Sequence, residues 1–189
     1  MNGRDFFVRY RKIINILIII TSFLPKNMRQ NILIFLRNRN GRVAMFGRYL
    51  LVRTLAKNCG QNVAIFPDVY FRYIERLTIG DNVSIHQMCY IDAEGKIEIG
   101  DNVSIAHRTT ILSSNHIYTG TSLPIKYQGM DLLKTCIEDN VWIGCGCTVL
   151  AGVNISSGCV IGANSTVTKD ISYNSVAAGS PAKVVKKRI

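Results

Sequence analysis

A branched aliphatic residue recurs at every sixth position in the stretch DNVWIGCGCTVLAGVNISSGCVIGANSTV. The residues are Ile143, Val149, Ile155, Ile161 and Val167. This period matches neither the 3.6-residue turn of a helix nor the alternation of an ordinary strand-and-turn meander. Repeats of six are typical of a β-helix, in which each short strand forms one side of a coil and successive coils stack. The pattern therefore predicts an all-β solenoid of hexapeptide repeats.

The same period extends over residues 61–175 and predicts a single solenoid domain. It slips by two residues between Ile97 and Ile99 and is interrupted once, after Ile117. The other ladder positions outside the opening stretch are Ile65, Phe71, Ile79, Ile85, Ile91, Ile105, Ile111, Ile137 and Tyr173. Turn-forming strings such as GDN at 80–82 and 100–102 fall where the chain must change direction.

Small residues predominate four positions after each ladder residue, and we expect them to fill the interior. They include Cys89, Gly95, Cys147 and Cys159. The six cysteines lack the spacing of a small secreted disulfide framework, so we expect reduced thiols. We also expect no metal site, since the closest histidine pair, His107 and His116, is nine residues apart, unlike the ligand pair of trimeric β-helical zinc lyases.

A loop insertion at about 114–136 breaks the ladder, and His116 lies at its root. Solenoids tolerate insertions at their corners, and such loops tend to carry function. A histidine that is neutral near pH 7 can act as a general base. His116 is therefore a candidate functional residue, although a histidine in an exposed loop, taken alone, more often has no role.

Residues 1–60 form a separate segment that is basic and apolar. They contain 12 Lys/Arg and one acid, whereas residues 61–189 contain 11 of each sign, so the net charge of +11 belongs to the N-terminal segment. The run IINILIIITSFL, Ile13–Leu24, predicts a helix of about 18 Å, short of the roughly 30 Å hydrocarbon layer of a membrane. No cleavage site of a secretory signal follows it.

Three interpretations of this segment stay open at the level of sequence. The helices can cap the solenoid or contact another subunit. They can also lie on an anionic membrane surface, with Lys/Arg near the headgroups and the apolar residues below them. Nucleic-acid binding is not expected, because the basic residues alternate with bulky aliphatic residues and not with aromatic residues that stack on bases.

The hexads IGDNVS and IGANST, the string DNVWIG, the histidine of SSNHIY and the ending VAAGSPAKVVKK together resemble the hexapeptide-repeat acyltransferases. They are most similar to the branch that contains maltose, galactoside and capsular-polysaccharide O-acetyltransferases. The resemblance covers about residues 61–187. It implies a left-handed parallel β-helix with three sides, a homotrimer, and acetyl-CoA bound between neighbouring subunits as the acyl donor.

The resemblance also implies roles for individual residues. His116 matches the general base. The coenzyme-binding positions are Trp142, Cys145, Ala163, Thr168, Lys169, Lys183 and Lys186. The acceptor-binding positions are His86, Asp92 and Glu94, where His86 replaces an asparagine and Glu94 an aspartate of the galactoside enzymes. The C-terminal basic tail, 176–189, is expected to close the coenzyme site. The alternatives are subunit packing for Trp142, a solvated basic tail for Lys183, Lys186, Lys187 and Arg188, a solvated His86, and a charged turn for the two acids.

The sequence thus predicts an acetyl-CoA-dependent O-acetyltransferase that modifies a sugar hydroxyl by direct transfer. We expect a role in surface-polysaccharide biosynthesis, in the cytoplasm and at the inner face of the membrane. The alternatives are a serine or amino-sugar N-acetyltransferase of the same fold and a catalytically silent scaffold.

Overall fold

The computed structural model describes residues 3–189, in which four helices precede a parallel β-helix with three sides. The helices are α1 (Gly3–Arg9), α2 (Arg11–Ser22), α3 (Lys26–Leu36) and α4 (Arg42–Leu55). The solenoid confirms the predicted fold class.

Each side of the solenoid is one parallel sheet. Sheet A contains β1 (Asn58–Cys59), β4 (Leu77–Ile79), β7 (Ile97–Ile99), β12 (Thr135–Ile137) and β15 (Asn154–Ile155). Sheet B contains β2 (Ala64–Ile65), β5 (Ser84–Ile85), β8 (Ser104–Ile105), β13 (Trp142–Ile143), β16 (Val160–Ile161), β18 (Ser175–Gly179) and the antiparallel β19 (Ala182–Lys187). Sheet C contains β3 (Tyr70–Arg72), β6 (Tyr90–Asp92), β9 (Thr110–Leu112), β14 (Thr148–Val149) and β17 (Thr166–Val167).

The ladder residues stack inside the coils. In sheet B, Ile65 pairs with Ile85 and Ile85 with Ile105, which makes each early coil 20 residues long. Higher up, Ile143 pairs with Ile161, a coil of 18 residues. Because Thr135 lies beside Ile97 on one side and Val153 on the other, the two extra residues lie in the turn between sheets C and A: five residues separate Ile91 from Ile97, and three separate Val149 from Val153. The slip in the sequence period is therefore a longer turn at this corner.

The predicted ladder is wrong at Tyr173 and at Ile117. Tyr173 is 62% exposed, because the last coil is shorter and Ile171 takes the interior position beside Ile155. Ile117 is only half-buried, because the chain has already left the coil for a hairpin. Among the small residues, Ala93 is buried in place of Gly95, while Cys89, Cys147 and Cys159 are buried as predicted. All six cysteines are free thiols.

Helix α4 closes the N-terminal end of the solenoid. Leu51, Val52 and Leu55 join the same buried cluster as the interior of the first coils. The buried side chain of Arg48 donates hydrogen bonds to the carbonyl oxygens of Ile65 (2.9 Å), Leu36 (2.8 Å) and Arg39 (2.8 Å). One guanidinium thus joins α3, α4 and the first coil.

The insertion leaves the solenoid at the corner between sheets C and A. It begins and ends in a hairpin of β10 (Ser114–His116) and β11 (Met130–Leu132), in which His116 pairs with Met130. The amide of Gln128 donates to the carbonyl oxygens of Gly120 and Leu123 and closes the tip. The hairpin therefore holds His116 on an ordered support.

Candidate active site

The general-base candidate lies on the exposed side of the hairpin. Its root is fixed by Ser113, whose buried hydroxyl donates to the Asp92 carbonyl oxygen (2.7 Å) and accepts from the Gly95 N–H (2.9 Å). The Leu133 N–H donates to the Ser113 carbonyl oxygen (2.8 Å). Because both ends of the hairpin are tied to the coil, the imidazole of His116 projects from a defined place at the C–A corner.

The predicted acceptor residues Asp92 and Glu94 lie at this same corner, one coil below His116. Asp92 is only 4% exposed, and its Oδ2 accepts a hydrogen bond from Arg72 Nη1 at 2.9 Å. The pKa of Arg72 is raised, first by its hydrogen bond with Tyr90 and then by the charge of Asp92. The carboxylate of Asp92 therefore already has a cationic partner, and Arg72 is the more exposed member of the pair.

A second group of predicted residues lies at the opposite edge of sheet C, the B–C corner. The Asn164 N–H donates to the Cys145 carbonyl oxygen (2.8 Å), and the Gly146 N–H donates to that of His107 (2.9 Å). Ala163, Cys145 and His107 therefore stack in successive coils. Trp142 projects from sheet B beside this corner, paired with Ser104 and Val160, and is 56% exposed.

His86 forms the lower part of the same corner. Its ring stacks on Phe66, with ring centroids 4.4 Å apart and an interplanar angle of 7°. Burial, and secondarily the nearby His107, lowers the pKa of His86, which favours the neutral imidazole. The equivalent positions in the coils above are Ala106, Gly144, Gly162 and Ala178, as their shared backbone hydrogen-bond pattern shows.

This corner is consequently a strip of small residues, with the His86 ring at its lower end. The coils stack closely at Gly144, which is buried and where a Cβ atom would lie 2.6 Å from the backbone nitrogen of Ala163. An exposed aromatic side chain, Trp142, stands beside the strip. A thin, extended ligand fits such a surface better than a compact one.

The four phosphate-contact candidates lie at the C-terminal end of the solenoid but not together. Lys183 and Lys186 are exposed on β19, paired with Ala178 and Val176 of sheet B. Thr168 and Lys169 follow β17 at the C–A corner. By contrast, Lys187 is tied to the solenoid, because its ammonium group donates to Ser172, Tyr173 and Ser175.

The predicted residues therefore divide between two edges of sheet C. The C–A corner carries His116, Asp92, Glu94, Thr168 and Lys169. The B–C corner and the adjoining strands of sheet B carry His86, Trp142, Cys145, Ala163, Lys183 and Lys186. Within residues 3–189 no group of three or more His, Cys, Asp or Glu side chains is arranged to hold a metal ion.

Two residues that bear on the site were missed from the sequence, Phe66 and Arg72. Each lies one 20-residue coil below the residue it contacts, His86 and Asp92 respectively. The 20-residue coil length is a signal for both, since it places Phe66 one coil below His86 and Arg72 one coil below Asp92.

A three-sided parallel β-helix with a histidine on a hairpin at one corner and a strip of small residues at the next is the architecture of a hexapeptide-repeat transferase. Residues 136–169 match the family model "Bacterial transferase hexapeptide (six repeats)". The chain is 32% identical to galactoside O-acetyltransferase of Escherichia coli over 167 residues, which covers 86% of this chain and 79% of that protein. It therefore belongs to the hexapeptide-repeat acetyltransferases, within their sugar O-acetyltransferase branch.

Solved structures agree with this assignment. A maltose O-acetyltransferase from Clostridium difficile 630 superimposes with a TM-score of 0.77 at 29% identity, covering 87% of this chain and 86% of the other. A galactoside acetyltransferase in complex with coenzyme A gives a TM-score of 0.69 at 30% identity, covering 86% and 80%. Other similarities are shorter. The chain spans 25% of the length of a putative acetyltransferase from Schizosaccharomyces pombe, with 61% identity over 51 residues.

Proposed function

We propose that this protein transfers an acetyl group from acetyl-CoA to a hydroxyl of a sugar, at a site formed between neighbouring copies of the chain. The observation that carries the proposal is the division of the candidate residues between the two edges of sheet C. If three copies pack with the C–A corner of one against the B–C corner of the next, both groups face one cleft. A cyclic trimer makes this contact three times with the same two surfaces.

The strip of small residues at the B–C corner suits the coenzyme. The pantetheine arm of acetyl-CoA is thin and extended, and Ala106 and Ala163 place no bulky side chain in its path. Trp142 offers a flat apolar surface to the arm. Lys183 and Lys186 supply point charges for the phosphates at the C-terminal end. The complex of galactoside acetyltransferase with coenzyme A supports this choice of ligand.

The thioester would then lie near Cys145 and His86, at the lower end of the strip. His116 of the adjacent copy takes the proton of the acceptor hydroxyl as its oxygen attacks the thioester carbonyl carbon. The C–S bond breaks, the coenzyme thiolate leaves, and the imidazolium returns the proton to it. The products are an O-acetyl sugar and coenzyme A, and general-base catalysis of this kind contributes about a hundredfold to ten-thousandfold.

The acceptor side supports a polyhydroxylated ligand. His86 is held flat on Phe66 and kept neutral, so that its ring can donate one hydrogen bond and accept another. At the C–A corner, Arg72 and Glu94 present one donor and one acceptor group, with Asp92 holding Arg72 in place. We propose a sugar of a surface polysaccharide or of its lipid-linked precursor, modified at the inner face of the membrane.

The test is thiol release from acetyl-CoA in the presence of free sugars, nucleotide sugars, amino sugars and serine. We expect release that depends on a sugar hydroxyl and that falls about a hundredfold or more in His116→Ala. The matched control is Asn115→Ala, which removes the neighbouring polar side chain of β10 and leaves the imidazole. Release that depends on an amine would favour N-acetylation, and release unchanged in His116→Ala would refute the role of this residue.

A further inference from the structure

Helix α2 presents an unusually apolar surface away from the protein. Its inner side rests on α4 through the buried Ile14. The outer side exposes five large apolar residues by half or more of their area, and Phe23 is 83% exposed. These residues are Ile13, Ile16, Ile19, Ile20 and Phe23.

The five side chains form one continuous face. At about 100° per residue they fall within an arc of about 120°, centred roughly opposite Ile14. The polar residues Arg11, Asn15 and Ser22 lie to one side of this arc, whereas Lys12 falls within it in the first turn of the helix. A water-exposed face of this composition is unusual in a folded protein, and contiguous apolar patches of this kind mark interaction sites.

The chain around this face is predominantly cationic, with Asp5 on the neighbouring helix α1 and Glu75, which pairs with Lys26 at 3.9 Å, as nearby acids. Between residues 6 and 67 the chain contains 11 Lys/Arg and no Asp or Glu. Only some of these cations serve the fold, such as Arg48, which binds three carbonyl oxygens, and Arg29, which donates to the Thr54 carbonyl oxygen. Arg11 and Lys12 begin α2 and are exposed.

From these observations we infer that α2 lies in the surface of a lipid bilayer rich in anionic headgroups, with its five-residue apolar face among the acyl chains. Such a bilayer offers hydrocarbon and negative charge together, which matches the face and its cationic border. A second copy of the same face would satisfy the apolar residues but would bring like charges together. Among the described helices none is long and apolar enough to cross a membrane.

The inference adds an attachment surface and its lipid chemistry to the proposed function. An enzyme held by α2 at the membrane would keep its solenoid beside acceptors that carry a lipid anchor, and this consequence rests on the proposed transfer. The attachment itself does not, since it depends on residues outside the candidate active site.

The experiment is co-sedimentation of the full-length protein with vesicles of phosphatidylcholine alone or with about 30% phosphatidylglycerol. The test variant is Ile16→Glu. The control is Tyr173→Glu, which removes a similarly exposed apolar residue, 62% against 56%, and adds the same charge on the solenoid. We expect the wild type to bind the anionic vesicles, Ile16→Glu to lower the partition coefficient about tenfold or more, and Tyr173→Glu to change it less than twofold.

Failure of the wild type to bind anionic vesicles would overturn the inference, as would equal binding by Ile16→Glu and the wild type. If light scattering instead shows that Ile16→Glu breaks up an oligomer while vesicles bind neither protein, the face is a contact between subunits. Thiol release with a soluble sugar acceptor, measured on the same preparations, separates the two proposals. Vesicle binding without acetyl transfer would support the attachment through α2 and refute the proposed activity. Acetyl transfer without vesicle binding would support the activity and refute the attachment.

Discussion

Replacement of Arg48 by methionine should weaken the attachment of the helical cap to the solenoid and lower the free energy of unfolding. The guanidinium is 2% exposed and donates to three carbonyl oxygens, on α3, after α3 and on the first coil. Methionine fills a similar volume but donates no hydrogen bond, so three hydrogen bonds to carbonyl oxygens are lost, while the Leu36 oxygen keeps the Arg39 N–H as a donor. At about 1 kcal/mol for each, the free energy of unfolding should fall by about 3 kcal/mol.

For a chain of this length that loss corresponds to a decrease of about 6–12 °C in Tm. The assay is thermal unfolding followed by circular dichroism at a fixed protein concentration. Arg42→Met, on the exposed start of the same helix, is the matched control and should change the free energy of unfolding by less than about 0.5 kcal/mol. A decrease in Tm below about 2 °C for Arg48→Met would refute the account of Arg48 as the link between cap and solenoid.

Two further predictions concern thiols and histidine. In the native protein a thiol reagent should label Cys136 and Cys145, whereas Cys59, whose pKa burial raises to about 12, should react only in denaturant. Coenzyme A should slow the labelling of Cys145 but not of Cys136. Equal protection of both thiols would contradict the coenzyme site proposed at the B–C corner. The pKa of His86, followed by NMR, should lie below the usual histidine value of about 6.5. The Phe66→Leu variant should raise this pKa, because water then reaches the His86 ring. The same His86 pKa in the variant and the wild type would argue against shielding by the Phe66 ring.

The repetitive part of the fold was predictable because each coil obeys the same local rule. An interior aliphatic residue followed by a turn is repeated with little variation, so Ile85, Ile105 and Ile143 could be assigned from spacing alone. The rule fails where the chain stops making coils. Ile117 lies in a hairpin whose partner strand is distant in sequence, and Tyr173 precedes Asn174, whose φ of 51° turns the chain toward β18.

The candidate site was predictable as a set of residues but not as an arrangement. His116 and Trp142 stand out by type and motif, yet their separation across sheet C follows only from the sheet to which each strand belongs. Likewise Phe66 and Arg72 carry no motif, and their roles arise from stacking between coils. The apolar run of α2 was visible in the sequence, but which of its residues α4 covers was not, because that depends on tertiary packing.

We propose that acetyl transfer uses His116 of one copy and the B–C corner beside Trp142 of another. Subunit complementation tests this arrangement directly. His116→Ala and Trp142→Glu, each inactive alone, would be unfolded together, refolded as a 1:1 mixture and assayed for sugar-dependent thiol release. Random assembly pairs an intact His116 with an intact Trp142 at about one site in four, so we expect about a quarter of the wild-type activity. Mixed oligomers that show no more activity than the separate variants would contradict the account and place both residues in a site within one chain.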